Sequence, residues 1–81
     1  MGYHLNKIPR GQLGHFSKIK EEFLELEDAH EQNNPILQLC ECADLIGAIE
    51  EFVHAACGLN LADVIKMKES TKSAFLDGTR K

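Results

Sequence analysis

Apolar positions along this chain recur at intervals of three and four residues in three blocks, and none shows the strict alternation of a half-buried strand. In the first block Phe16, Ile19, Phe23 and Leu26 share one helical face, and Ser17 is placed to cap it, so the spacing predicts a helix from about Ser17 to Glu31. Asn33-Asn34-Pro35 ends that helix, and Pro35 suits the first turn of the next. The second helix is predicted from Pro35 to Cys57, with Gly58 as its left-handed cap. Ile36, Leu37, Leu39, Leu45, Ile46, Ile49, Phe52 and Val53 make it apolar on nearly every face, as a helix at the centre of a bundle is. Asn60 is placed to cap a third helix, with Asp63 in its first turn, where a negative charge suits the helix dipole. Leu61, Val64, Ile65 and Phe75 give this helix a packing stripe, and Gly78 is its predicted stop. Residues 1–14 carry Lys7, Pro9, Arg10, Gly11 and Gly14 and read as an irregular basic arm.

The expected architecture is therefore a single all-α domain over residues 1–81, an antiparallel helical bundle of three main helices. A chain of 81 residues buries only about 60% of its unfolded surface. The second helix also has more apolar faces than two neighbours can cover, so oligomerisation is expected to complete the bundle, as a homodimer or homotetramer. Disulfides do not supply the missing stability. Cys40, Cys42 and Cys57 are an odd number on one predicted helix, and they read as small packing residues in a reducing compartment. No apolar run is long enough for a signal peptide or a membrane span, so a cytoplasmic location is expected. Met1-Gly2 opens like a myristoylation signal, but Asn6 stands where Ser or Thr is required. The net charge of −4 lacks the basic face of a nucleic-acid-binding domain and suits cations, or phosphates presented through a cation.

The acids have a pattern of their own. Glu22 and Glu25 stand at i and i+3 on the first helix, beside Glu21, and Glu41 and Asp44 repeat the spacing on the second. The first pair flanks the apolar stripe and, alone, reads as a solvated acidic face. Glu41 and Asp44, with Glu51 near the same stripe, lie on a helix built for burial, where an unpaired carboxylate is expensive. Two carboxylates from each of two antiparallel helices make a hard oxygen cage for Mg²⁺ or Mn²⁺.

Glu21-Glu22-x-x-Glu25 followed by Glu41-x-x-Asp44 resembles the signature of MazG-type nucleoside triphosphate pyrophosphohydrolases, of the all-α pyrophosphatase superfamily. The resemblance runs from about Ser17 to Arg80. It implies that Glu22, Glu25, Glu41 and Asp44 ligate Mg²⁺, with Mn²⁺ as an alternative. Glu21, with Glu22, would take a catalytic part, as a further metal contact or an orienter of water. It also implies that basic residues on the third helix, Lys68, Lys72 and Arg80, hold substrate phosphates, with Lys66 nearby. The implied reaction cleaves a nucleoside triphosphate between its α- and β-phosphates, giving a monophosphate and pyrophosphate. The chain is shorter than that family's usual four or more helices. His15, Phe16, Asn6 and the basic arm are candidate contacts to the base.

No glycine-rich phosphate loop competes, because Gly11-x-x-Gly14 is too short and lacks the Lys-Ser/Thr tail. Two rivals remain. Glu27-x-x-His30 and Glu51-x-x-His54 have the spacing of helical di-iron sites. Alternatively the acids form the charged docking face of a non-enzymatic helical interaction or regulatory module.

Overall fold

A computed structural model describes residues 4–76, for 73–75 the backbone only. Three helices follow the arm: α1 (Phe16–Glu31), α2 (Pro35–Cys57) and α3 (Leu61–Leu76), with no strand among the described residues. No helix among them is long and apolar enough to cross a membrane. Phe75 as a packing residue, Gly78 as a stop, the Met1-Gly2 signal and Arg80 fall outside what is described.

Local chemistry sets most of the boundaries. Asn33 takes a positive φ of 55°, which turns the chain out of α1. Asn34 then accepts a hydrogen bond from the Leu37 amide and caps α2. Gly58 at φ 71° closes α2, its amide donating to the His54 carbonyl. Asn60 and Asp63 cap α3 reciprocally: each side chain accepts from the other's amide at 3.0 Å. The start of α1 departs from expectation. The helix begins at Phe16, the residue before it, His15, makes no side-chain cap, and Ser17 Oγ instead accepts from the Gln12 amide in the arm.

α1 packs along α2, with Phe16 edge-on to Phe52 at 6.3 Å and His30 Nδ1 3.2 Å from Gln38 Oε1. α3 meets α2 sparsely and, among the described residues, makes no contact with α1. The result is open, with extents of 41 × 29 × 19 Å. Its radius of gyration is 14.6 Å, against about 12 Å for a compact chain of this length.

Burial runs against the apolar pattern. Among the described residues only Ala29 and Ala48 are buried apolar side chains, whereas Glu21, Glu22, Asp28 and Glu41 are buried. Within one chain α2 lies between α1 and α3, but they leave much of its apolar surface uncovered. Ile36, Leu39 and Ile46 are exposed, at 78%, 73% and 51%. The three cysteines are exposed free thiols rather than packing residues. The acids redistribute as well: Glu21 and Glu22 on α1 are buried rather than solvated, and Asp44 is exposed while Glu41 is not.

Candidate metal centre

Glu22 and Glu25 on α1 and Glu41 and Asp44 on α2 each bring a carboxylate oxygen within 4.8 Å of all the others. Spacing and packing act together here. An i,i+3 interval stacks each pair on one helix face, and the α1–α2 contact turns the two faces towards each other. Glu22 and Glu41 are more than nine-tenths buried, and the Oε1 atom of each has no hydrogen-bond partner. Burial pushes the Glu25 carboxyl up to about 8, and the neighbouring Glu22 and Glu41 push in the same direction. Burial also raises Glu41, with Asp44 and Glu22 adding to it against the opposing pull of Glu25 and His4. Such a cluster has spare acceptors and too little positive charge. Such an arrangement could hold a divalent cation.

Glu21 sits otherwise. It accepts from the Gly11 amide at 2.8 Å and from Lys18 Nζ at 3.1 Å. Burial alone would raise its carboxyl, but these two donors outweigh it and hold it below its ordinary value. Its neighbours make it an anchor for the arm. Gly11 has to be glycine for this approach, because a Cβ there would run into the Ser17 carbonyl.

Three residues that motif reading passed over belong to the site. Lys18 Nζ lies 3.0 Å from Glu22 Oε2, and the Glu22 carboxylate, followed by Glu21, raises its ammonium pKa. Lys18, Glu22, Asp44, Glu50 and Glu51 line an open cavity of about 490 Å³ beside the cluster. Asp28 accepts from the Leu5 and Asn6 amides, from Asn6 Nδ2 and from Gln32 Nε2, at 2.7–3.1 Å. The Leu5 amide foremost holds the Asp28 carboxyl far below its ordinary range. His4, fixed next to these two amides, directs Nε2 to 3.2 Å from Glu41 Oε2 and 4.0 Å from Glu25 Oε1. Lys18 was readable, being i,i+3 and i,i+4 to Glu21 and Glu22, and Asp28 continues the three-residue series from Glu22 and Glu25. His4 gave no such signal, because its position depends on how an irregular arm folds back.

The third-helix lysines are elsewhere. Lys68 pairs with the adjacent Glu69, and with Lys72 it lines an apolar groove of about 650 Å³ between α2 and α3 that includes none of the four acids. Asn6 is used in binding Asp28, and Phe16 packs on Phe52. Glu27, His30, Glu51 and His54 are all exposed, and none belongs to a group of converging metal-ligand atoms among the described residues. Compared with protein-family models, with curated proteins and with solved structures, the chain matches none.

Proposed function

We propose that the protein is a divalent-metal-dependent nucleotide pyrophosphohydrolase, cleaving a nucleoside triphosphate to its monophosphate and pyrophosphate. The observation that carries the reading is the convergence of Glu22, Glu25, Glu41 and Asp44 from two helices, with unpartnered buried oxygens on Glu22 and Glu41. The motif resemblance supplies the reaction and names Mg²⁺, with Mn²⁺ as an alternative. In this reading those four residues hold the metal, which neutralises phosphate oxygens and activates water. Glu22, and Glu21 through Lys18, position the attacking side, and the open cavity beside Asp44 admits the phosphates. Lys68, Lys72 and Arg80 enter as phosphate ligands on the resemblance alone, and Lys18 is the nearer cation.

The helices α1 and α2 run antiparallel, which the Phe16–Phe52 and His30–Gln38 contacts support. Two copies associate. Ile36, Leu39, Ala43 and Ile46 form an exposed stripe along α2 at three- and four-residue spacing, the pattern of a helix–helix seam. The chain exposes 6207 Å², where a compact monomer of its mass exposes about 4900 Å². The excess is of the size that a stable subunit interface covers. A second copy would also offer Lys68 and Lys72 a route to a neighbouring site.

The exposed apolar stripe equally favours a non-enzymatic interaction module, and one experiment separates the two. Pyrophosphate release from common and modified nucleoside triphosphates is measured with Mg²⁺ and with Mn²⁺, alongside calorimetric metal titration. Saturable metal binding with metal-dependent release from at least one nucleotide is expected. Weak, non-saturating binding without release would make the acids a docking face.

A further inference from the structure

His4 lies at the acid cluster without being part of the motif that marks it. Its ring is largely buried, with 18% of the side chain exposed, and its two nitrogens face different partners. Nε2 points between Glu41 and Glu25, and together these three residues bring ligand atoms within 4.8 Å of one another. Nδ1 faces Asp28 Oδ1 at 3.5 Å and has no settled hydrogen bond. The position is built. Asp28 holds the amides of Leu5 and Asn6, the two residues after His4, so the ring is delivered by a pinned backbone.

Carboxylate, imidazole and ligand cluster stand here in the order found at metal-binding histidines. Two donors at about 2.1 Å from one ion stand roughly 3.0–3.5 Å apart, which the 3.2 Å between Nε2 and Glu41 Oε2 satisfies. A histidine acting only as a counter-ion would leave the cluster poorly satisfied. Its single charge faces Glu25, Asp28 and Glu41, and the Oε1 atoms of Glu22 and Glu41, both more than nine-tenths buried, still lack partners.

We propose that His4 Nε2 is a ligand of the metal held by Glu25 and Glu41, delivered by the backbone that Asp28 pins through the Leu5 and Asn6 amides. The centre then selects a later first-row ion such as Co²⁺ or Ni²⁺ over Mg²⁺. Imidazole suits those ions, whereas Mg²⁺ is served by oxygen donors alone. The proposal rests on the metal-centre reading above and adds to it a nitrogen ligand on the side of Glu25 and Glu41, the two acids His4 converges with, and a metal preference.

The test is pulsed electron paramagnetic resonance of the Mn²⁺-loaded protein, which detects nitrogen bound to the ion without any turnover. Wild type is expected to show imidazole nitrogen coupling. His4→Gln, which keeps a polar side chain, is expected to bind Mn²⁺ without that coupling, and His15→Gln, at an exposed histidine, to retain it. In calorimetric competition the preference of His4→Gln for Co²⁺ over Mg²⁺ is expected to fall by at least about tenfold, the least that losing even an outer-shell partner costs. Mn²⁺ bound to wild type without nitrogen coupling, or coupling that survives in His4→Gln, overturns the proposal and leaves a four-carboxylate centre standing. Failure of wild type to bind Mn²⁺, Co²⁺ or Mg²⁺ overturns the metal-centre reading itself, and this proposal with it.

Discussion

The two sides of α2 use their residues in opposite ways. Towards α1 the helix presents Glu41, more than nine-tenths buried, to Glu22, Glu25 and His4, and the contact is close and polar. Towards α3 it presents Ile49 and Val53 to two open apolar pockets, and the contact is sparse. A small domain normally buries its leucines and isoleucines and leaves its glutamates to solvent. Here the best-buried large side chains are acids, and the stripe Ile36, Leu39, Ala43 and Ile46 faces outward. The two halves therefore lack different things: positive charge on the α1 side, apolar cover on the other.

The largest expected effect lies on the polar side. In the proposed centre, Glu41→Ala removes a buried ligand from a cage with few alternatives. It should lower metal-dependent pyrophosphate release by more than the roughly 100-fold that losing an outer-shell partner can cost. Steady-state assays with Mg²⁺ and Mn²⁺ check this, and wild-type rates from the variant would break the polar half of the comparison.

The apolar side is tested next. Leu39→Lys places a charge where the side chain is already 73% exposed, so an isolated chain should tolerate it. If the stripe is a seam between copies, the variant should run at half the mass of wild type or less in light scattering at micromolar concentration. Wild type that is itself monomeric would remove the need for a second copy.

A smaller effect concerns metal and pH together. Glu25 has its folded pKa raised from 4.5 to about 8, so the folded chain binds protons more tightly than the unfolded one. The sign follows from linkage: without metal, the folded state loses stability as pH rises from about 4.5 to about 8. The Tm in chelator should fall across that window. Glu25→Gln should flatten the fall and be at least as stable as wild type near pH 8. Saturating metal at about 100 times its Kd should add roughly 2.7 kcal/mol per site to wild type and much less to the variant. Asp44→Asn should follow the same order more weakly, because Asp44 is exposed. Below the carboxylate range the slope reverses, since Asp28, held low by the Leu5 amide, loses its stabilising contribution once protonated.

The smallest effect sharpens the contrast in packing. Asn60→Ala removes the cap of the loosely attached α3, and Asn34→Ala the cap of the well-packed α2, each at a cost of about 1 kcal/mol. Hydrogen exchange should show the first loss confined to α3. The second should appear across both α1 and α2, because their contact makes them one cooperative unit.

What the sequence determined by itself is the set of elements and the pairing of acids along them. Pro35 and Gly58 bound α2, Asn60 begins α3, and the i,i+3 intervals put Glu22 with Glu25 and Glu41 with Asp44. These are local facts. A cap or a helical interval is decided by hydrogen bonds and geometry within about four residues, so the chain states them directly. Which acids are buried is settled by packing, since Asp44 on the more apolar helix stays exposed while Glu21 on the more polar one does not. Packing also separated the roles of adjacent acids: the Gly11 amide takes Glu21 as an anchor, while Glu22 joins the cluster. Finally it brought His4 to Glu41, across 37 positions of sequence, and kept Lys68 on the far side of α2. Those outcomes depend on an arm without periodicity folding back onto Asp28, and on the two faces of one helix being covered unequally. Neither is encoded in the spacing of neighbouring residues.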